Sequence, residues 1–223
     1  MFEIEKELLK RLCLKSDPAR QKALENELRN NKIHHENWND MAAVIPSVSE
    51  KVVVLCAHFD AVPDSFGFND NGMALVTVLN LIQNGLPANV EVIFTNGEEK
   101  GGLGAKYYLK HTQKQIAGCI NLDVVGCFDQ VYLDPMNCSE ARSLTSCKQG
   151  KMPFSDAHIF ARNGIQTVCF SSGPADTDFQ SGIIKICSTL HNNRNDNNFS
   201  LLNFEMIKKV SAQVKNVIKL MAA

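Results

Sequence analysis

The sequence lacks long apolar runs, which bears first on where the protein acts. Its longest hydrophobic stretches, VVVLCA and GMALVTVL, are far shorter than the roughly 20 residues that a helix needs to cross a bilayer. The first part of the chain alternates charged and apolar side chains and contains neither an uninterrupted apolar core nor a small-residue cleavage site. We therefore expect no secretory signal, no membrane partner and a cytoplasmic location.

The chain also lacks a strong charge of either sign and a paired-cysteine motif. A formal net charge of −1 leaves no basic surface of the kind that binds nucleic acid, so peptides or small molecules are the expected partners. None of the eight cysteines is arranged as CxxC, which argues against a thiolate zinc site. In the absence of a secretory signal, we interpret them as reduced thiols in the core or at the surface.

The order of apolar patterns that are present predicts an α/β fold. Helical spacing of apolar residues indicates two N-terminal helices, at residues 2–14 and 18–29, the second highly charged and largely on the surface. Short β-branched runs then alternate with helical patterns, as in a sheet covered by helices. Strands are predicted at residues 51–57, 90–95, 117–122, 130–133, 166–171 and 183–187, and further helices at 70–84, 103–111, 156–163 and 203–221.

These elements predict one domain over residues 1–223, with the helices of residues 1–30 packed on it. The chain contains 44% hydrophobic residues, enough for one substantial core, and shows no repeat or long linker. The expected fold class is a three-layer α/β/α sandwich around a mixed, mostly parallel sheet. Residues 134–152, rich in Ser, Asn, Cys and Lys, are expected to form a surface loop.

Side chains that bind metals follow several of the predicted strands. Because functional sites of open α/β sheets form beyond the carboxyl ends of the strands, these side chains are expected to meet at one edge. Each acidic residue alone is more often a solvated or capping residue, but the set together favours divalent cations. The set consists of His58 and Asp60 after the first strand, Asp70 at the start of the next helix, then Glu98, Glu99, Asp123 and His191.

The charges of this set suit two divalent ions and hydrolytic chemistry. Two ions carry four positive charges, and the candidate ligands His58, Asp70, Glu99, Asp123 and His191 supply three negative charges between them. A bridging hydroxide brings the cluster close to neutrality, which matters because uncompensated charge is costly in a partly buried site. Paired ions also lower the pKa of a shared water toward neutral, so hydrolysis is the expected reaction.

Two further roles follow from local geometry. His58 and Asp60 are two residues apart in an extended segment, so their side chains leave the same face and Asp60 can orient the imidazole. Glu98 and Glu99 are adjacent and diverge, which allows one to bind a metal while the other acts as general base.

The motifs AHFDAVPDSFGFNDNGMA, TNGEEKGGLGAKYYL and INLDVVG, together with His191, resemble the co-catalytic di-zinc aminopeptidase family. That family includes bacterial leucyl aminopeptidase and aminopeptidase Y, and the resemblance extends from about Val52 to the C-terminus. It implies a zinc exopeptidase fold and two divalent ions, zinc in the first place, with cobalt or manganese as alternatives. It also implies a metal-dependent aminopeptidase that removes residues from the free N-terminus of peptides with a metal-bridged hydroxide.

The resemblance assigns a role to each matching position. It implies that His58 and Asp123 hold one ion and that Glu99 and His191 hold the other. Asp70 bridges both ions, and Glu98 is the general base. The specificity for a free amine comes from the family likeness alone.

The sequence departs from the family pattern at two histidines. Relatives often place a histidine directly after Ser-Asp, whereas here Ala157 separates Asp156 from His158. The final histidine is commonly followed by threonine, whereas His191 is followed by asparagine. His158 is therefore the rival of His191 for the last ligand position, with a pocket or helix-capping role as its other reading.

Three other functions remain open on the sequence. A glutaminyl cyclase-like acyltransferase has a similar fold and ligand order but uses one zinc, so the presence of ligands for two ions argues against it. A metal-dependent deacylase acting on non-peptide amides would use the same activated water. A non-catalytic binding module on this fold is disfavoured by the intact ligand set, because clustered carboxylates without a metal repel each other.

Overall fold

The computed structural model describes residues 2–144, 146–175, 178, 181 and 196–222. The strands described are β1 (Glu36–Trp38), β2 (Ala42–Ile45), β3 (Lys51–His58), β4 (Val90–Thr95), β5 (Gln115–Leu122), β6 (Gln130–Asp134), β7 (Lys148–Gln149) and β8 (Thr167–Gly173). They form one sheet in the order β1-β2-β4-β3-β5-β8-β6-β7. The central strands β4, β3, β5 and β8 are parallel, whereas β1 with β2, β2 with β4, and β6 with β8 are antiparallel.

Helices cover both faces of this sheet. They are α1 (Glu3–Leu12), α2 (Asp17–Asn30), α3 (Met73–Gln83), α4 (Leu103–His111), α5 (Ala141–Leu144), α6 (Asp156–Arg162) and α7 (Glu205–Met221). Apolar residues of α1, α2, α3 and α7 share a core with alternate residues of the central strands, and α4 and α6 pack on the other set. Because successive side chains of a strand point to opposite faces, these two cores define three layers. The predicted three-layer sandwich around a mixed sheet is confirmed.

The central strands are buried on both faces, which explains their unbroken apolar sequences. In β3, all seven residues from Val52 to His58 are buried. The last helix, α7, instead buries a single stripe that includes Val210, Val214 and Val217 and leaves lysines exposed. Strand burial therefore brings His58 to the carboxyl edge of the sheet while keeping its side chain out of bulk water.

Several predicted elements differ from the observed ones. The edge strand β1 and its neighbour β2 were not predicted, because Glu-Asn-Trp carries no apolar alternation and Ala42–Ile45 is a run of only four residues. The loop prediction for residues 134–152 is wrong in part, since α5 and the two-residue β7 lie within it. The strand predicted at 183–187 lies outside the described residues. Helix α4 has the predicted bounds.

The described cysteines are free thiols. Six of the seven, Cys13, Cys56, Cys119, Cys127, Cys138 and Cys169, are buried, and Cys147 is half-buried. Burial raises the pKa of the Cys119 and Cys169 thiols, so these side chains act as small apolar core residues. Within the described part of the chain, no helix has the length and apolar character to cross a membrane.

Candidate metal centre

Three of the predicted ligands meet at the carboxyl edge of the sheet. His58 is the last residue of β3 and is 1% exposed. Its Nε2 atom lies 3.2 Å from Oδ1 of Asp70 and 3.5 Å from Oδ1 of Asp123. One ligand atom from each of the three residues lies within 4.8 Å of the other two. Strands β3 and β5 are parallel neighbours, so His58 and Asp123, which directly follows β5, are brought to the same edge.

The donor set fits a divalent cation. An imidazole nitrogen and carboxylate oxygens are the usual ligands of zinc, and they also suit related divalent metals. Asp123 is buried and Asp70 is only partly exposed. Two carboxylates this close around one imidazole repel each other when they are ionised, and a bound cation would relieve that repulsion.

Asp70 is carried by an irregular segment, Phe68–Gly72, that joins the site to two other parts of the chain. The amide N–H groups of Asn69 and Asp70 donate to the carboxylate of Asp196, over 2.6 and 2.8 Å. On the other side of Asp70, Nδ2 of Asn71 donates to the carbonyl of Leu122, 2.8 Å away. The backbone of Asp70 is therefore fixed from both sides by hydrogen bonds that involve the buried side chains of Asp196 and Asn71.

The loop after β5 is tied to the same segment. Oδ1 of Asn71 accepts from the amide of Val124, and Oδ1 of Asn69 accepts from the amide of Gly126, over 3.2 and 2.7 Å. Asp123 thus lies between Leu122 and Val124, whose backbones are both hydrogen-bonded to the side chain of Asn71, the residue after Asp70. Asn69 and Asn71 were missed as site residues by the sequence reasoning, and their only signal was that they flank a candidate ligand.

Asp60 contacts His58 as predicted, but its carboxylate also has a second task. Nδ1 of His58 lies 3.1 Å from the backbone carbonyl oxygen of Asp60 and 3.4 Å from its carboxylate. The two carboxylate oxygens accept the amide N–H groups of Glu98 and Glu99, each over 3.1 Å. Asp60 therefore links the end of β3 to the turn that carries the two glutamates after β4.

Clustered charge shifts the pKa values at this edge. Burial disfavours the charged form of His58, but hydrogen bonds with Asp123, Asp60 and Asp70 outweigh it and raise its pKa well above the usual value. Burial raises the pKa of Glu98 to about 10, with the negative charges of Asp123, Asp156 and Asp70 adding to it and His58 opposing. Burial also raises the pKa of Asp123. Glu98 therefore interacts electrostatically with all three residues of the group.

The remaining candidates stand apart from that group. Glu99 is half-buried, and its backbone N–H donates a hydrogen bond to Asp60 at the edge of the site. It is not one of the three residues whose ligand atoms converge. His191 lies outside the described residues. His158 caps α6, since its Nδ1 accepts the amide N–H of Ser155 over 3.2 Å, and its ring stacks on Phe154. The capping interpretation of His158 therefore agrees with the observed contacts.

Asp156 is a buried acid that the sequence reasoning did not treat as a site residue. It opens α6, has no exposed surface, and accepts a hydrogen bond of 2.5 Å from Oγ1 of Thr95, the last residue of β4. Burial raises the pKa of Asp156 to about 6. A Ser-Asp pair at a helix start is typical of an exposed helix cap. Nothing in the sequence therefore indicated that the Asp156 carboxylate is buried.

The fold and the site define a class: α/β proteins with a histidine and two carboxylates, a donor set for a divalent cation, at the carboxyl edge of a mixed sheet. Residues 40–197 match the model of peptidase family M28. The chain belongs to this family. The predicted family resemblance and the prediction of a metallopeptidase are thereby confirmed.

Curated relatives are matched over part of the chain. A vacuolar membrane protease of Debaryomyces hansenii is 33% identical over 111 residues, which are 46% of this chain and 11% of that protein. A protein of the same name from Yarrowia lipolytica is 32% identical over 112 residues, 47% of this chain and 11% of that protein. The matched stretch thus spans about a tenth of the length of these relatives.

Solved structures share the fold. The zinc aminopeptidase BSAP from Bacillus subtilis superposes with a TM-score of 0.64 at 20% identity, covering 79% of this chain and 48% of that one. The LapA aminopeptidase of Legionella pneumophila gives 0.75 at 12% identity, covering 97% and 69%. A glutaminyl cyclase from Bacteroides thetaiotaomicron, bound to N-acetylhistamine, gives 0.72 at 16% identity, covering 96% and 94%.

The predicted cytoplasmic location is contradicted by these comparisons, because the curated relatives are vacuolar membrane proteases. That prediction rested on the absence of an apolar leader and of long apolar runs from the sequence. Such an absence describes only the segment in which it is observed, and it carries no information on where related chains act.

Proposed function

We propose that this protein is a metal-dependent aminopeptidase that removes single residues from the free N-terminus of peptides. The observation that carries the proposal is the convergence of His58, Asp70 and Asp123 at the sheet edge, with Glu98 on the turn that is hydrogen-bonded to Asp60, in a chain of peptidase family M28. The aminopeptidase and zinc named for BSAP, and the aminopeptidase named for LapA, support the choice of substrate and metal.

The ligands proposed for two divalent ions, most simply zinc, are His58 and Asp123 for one and Glu99 and His191 for the other. Asp70 is the proposed shared ligand. Bound divalent cations would polarise the scissile carbonyl and make water a better nucleophile at neutral pH. Asp60 keeps the imidazole of His58 in place and fixes the turn that bears both glutamates.

Glu98 is the proposed general base. Its carboxylate takes a proton from the attacking water and passes it to the nitrogen of the departing amine. Burial of its side chain, which is 8% exposed, keeps the proton from being lost to bulk water between the two transfers. The substrate's free amine is proposed to lie among the acidic groups of the site, which would favour an ammonium over an acylated amine.

The choice between a free and a blocked amino end tests this proposal. We expect the purified protein, supplied with zinc, to hydrolyse aminoacyl anilides and to leave the N-acetylated forms of the same compounds intact. The measurement is release of the aniline, with the EDTA-treated protein as control. Hydrolysis of the blocked forms at a comparable rate would instead indicate a deacylase. Hydrolysis of neither would reject the aminopeptidase and leave a glutaminyl cyclase-like enzyme or a binding module.

Metal content per chain gives a second prediction. We expect two zinc ions per wild-type chain and about one in the variant His191→Ala, whereas His158→Ala should keep both, because its imidazole caps α6. Elemental analysis after dialysis measures this. Two ions in His191→Ala together with a loss in His158→Ala would reverse the assignment of the last ligand.

A glutaminyl cyclase-like activity is the second candidate. Its support is the likeness to the Bacteroides thetaiotaomicron glutaminyl cyclase, which extends over nearly the full length of both chains. Peptides that begin with glutamine distinguish the two reactions, since cyclisation releases ammonia and leaves the peptide length unchanged. A single ion per chain together with a pyroglutamyl product would favour this candidate over the aminopeptidase.

A further inference from the structure

Arg20 is fully buried, whereas Arg29, the other arginine of α2, is exposed. The helix is highly charged, yet the Arg20 side chain is 1% exposed, whereas Arg29 on the same helix is exposed and pairs with Glu25. A buried guanidinium carries a large desolvation cost unless hydrogen bonds compensate it. The prediction that this helix lies largely on the surface is therefore wrong at Arg20.

The guanidinium group is bonded to the chain that connects two proposed metal ligands. Its Nε donates to the carbonyl of Phe59, over 2.5 Å, and its Nη1 donates to the carbonyl of Phe66. Phe59 directly follows His58, and Phe66 lies four residues before Asp70. A third bond, from Nη1 to the carbonyl of Leu14 over 3.0 Å, ties the group to the turn between α1 and α2.

The same guanidinium also packs closely against Gly67, within residues 59–70. Gly67 has a φ of +57°, and a Cβ atom there would lie 2.7 Å from Nη2 of Arg20 and 2.4 Å from the carbonyl oxygen of Asp70. Only glycine fits between them. Beyond Gly67, the carboxylate of Asp196 accepts hydrogen bonds from the N–H groups of Asn69 and Asp70, so residues 59–70 are held at both ends.

We infer that Arg20 is a positioning residue for the metal centre, holding the chain between Phe59 and Phe66 so that His58 and Asp70 face each other. Arg20 lies outside residues 40–197, the part of the chain that matches the family model, so the N-terminal helices contribute directly to the site. The planar fork of an arginine suits this task, because one rigid group reaches several carbonyl oxygens at once. The inference rests on the proposed metal-binding function.

The test compares Arg20→Met and Arg20→Lys with two matched variants of α2. Leu24→Ala removes a fully buried apolar side chain one turn away, which destabilises the packing of the helix but removes no hydrogen bond to residues 59–70. Arg29→Gln removes an exposed arginine. Melting temperature, Co²⁺ affinity and the Co²⁺ absorption spectrum are measured for each, as is hydrogen exchange of the metal-free protein at residues 59–70.

We expect Arg20→Met to lower Co²⁺ affinity by about 10- to 100-fold, the range seen when groups that orient ligands are lost. The Co²⁺ spectrum should change, and amides of residues 59–70 should exchange faster. Arg20→Lys should lie between it and the wild type, and it carries the test if Arg20→Met does not fold. Leu24→Ala should lower the melting temperature while keeping affinity and spectrum.

Two results would overturn the inference. One is a loss of affinity in the Arg20 and Leu24 variants in the same proportion to their loss of stability, because the effect would then be general. The other is wild-type affinity and exchange in Arg20→Met. Failure of the wild type to bind Co²⁺ or zinc would instead reject the proposed metal centre. The hydrogen-exchange data on the metal-free protein would still report whether Arg20 holds residues 59–70 in place.

Discussion

Replacing Glu98 with glutamine is expected to lower kcat by about two to four powers of ten while leaving the metal content unchanged. Glutamine has nearly the same shape as glutamate, but its amide cannot accept a proton from water. The backbone of residue 98 is fixed by the bond from its N–H to Asp60, which does not involve the side chain. The substitution is therefore expected to change the proposed proton transfer and little else.

The surroundings of Glu98 explain why the effect should be large. In the protein without metal, burial raises the pKa of Glu98 to about 10, so the carboxyl group is protonated at neutral pH. Cations bound at the adjacent ligands would favour the ionised form, because an opposite charge nearby lowers the pKa of an acid. A base whose pKa is brought toward the working pH by bound metal is well matched to proton transfer.

The neighbouring variant Glu99→Gln is the control. Glu99 is a proposed ligand, so its replacement should lower both the metal content and the rate, whereas Glu98→Gln should lower the rate alone. Steady-state hydrolysis of an aminoacyl anilide and elemental analysis on the same preparations separate the two. Undiminished turnover in Glu98→Gln would remove Glu98 from the mechanism, and loss of metal in that variant would make it a ligand.

The metal-free protein is expected to lose stability as the pH rises from 5 to 8, and zinc is expected to reverse the loss. Burial raises the pKa of three carboxyl groups in this region: Asp156 to about 6, Asp196 to about 7 and Glu98 to about 10. An acid whose pKa is higher in the folded state binds its proton more tightly there. Its contribution to stability falls as the pH rises from the unfolded to the folded pKa.

His58 acts in the same direction. Its pKa is raised by hydrogen bonds with Asp123, Asp60 and Asp70 that outweigh burial, so the folded state favours the imidazolium. That stabilisation is fully present below the unfolded pKa and is lost as the pH rises through the folded value. Burial alone would raise the pKa of Asp60, but the hydrogen bond and charge of His58 outweigh it and lower that pKa. The stabilisation from ionised Asp60 is therefore present across pH 5 to 8 and is lost only at lower pH.

Thermal melting of EDTA-treated protein between pH 5 and 8 measures this effect. One pKa unit corresponds to about 1.4 kcal/mol, and about 1 kcal/mol shifts the melting temperature of a protein of this size by roughly 2–4 °C, so a fall on the order of 5 °C or more is expected. At pH 8, zinc at about 1,000 times its dissociation constant should restore roughly 8–16 °C.

The variant Asp156→Asn is the matched control for the pH effect. The amide oxygen of asparagine can still accept from Thr95, but the side chain no longer titrates, so the slope between pH 5 and 6 should become smaller. A melting temperature of the metal-free wild type that rises from pH 5 to 8 would contradict the prediction. It would show that ionisation of these buried carboxyl groups does not destabilise the folded state.

The helices and central strands could be predicted because their patterns are local. The apolar runs at β3, β4 and β5 and the stripe of α7 follow from periodicity and burial, which neighbouring residues determine. The edge strands β1 and β7 were missed because short polar segments gain their structure from pairing with another strand, which local sequence does not encode.

The sequence alone determined which side chains come to the functional edge. Since parallel strands place their carboxyl ends together, the residues after the runs could be selected by position, as with His58 and Asp123. Only the tertiary structure decided how they are held: that the Asp60 carboxylate fixes the Glu98 turn, that Asp156 is enclosed, and that Arg20 is buried against the chain before Asp70. These contacts join residues separated by roughly 40 to 60 positions along the chain, and only packing of the whole chain brings such partners together.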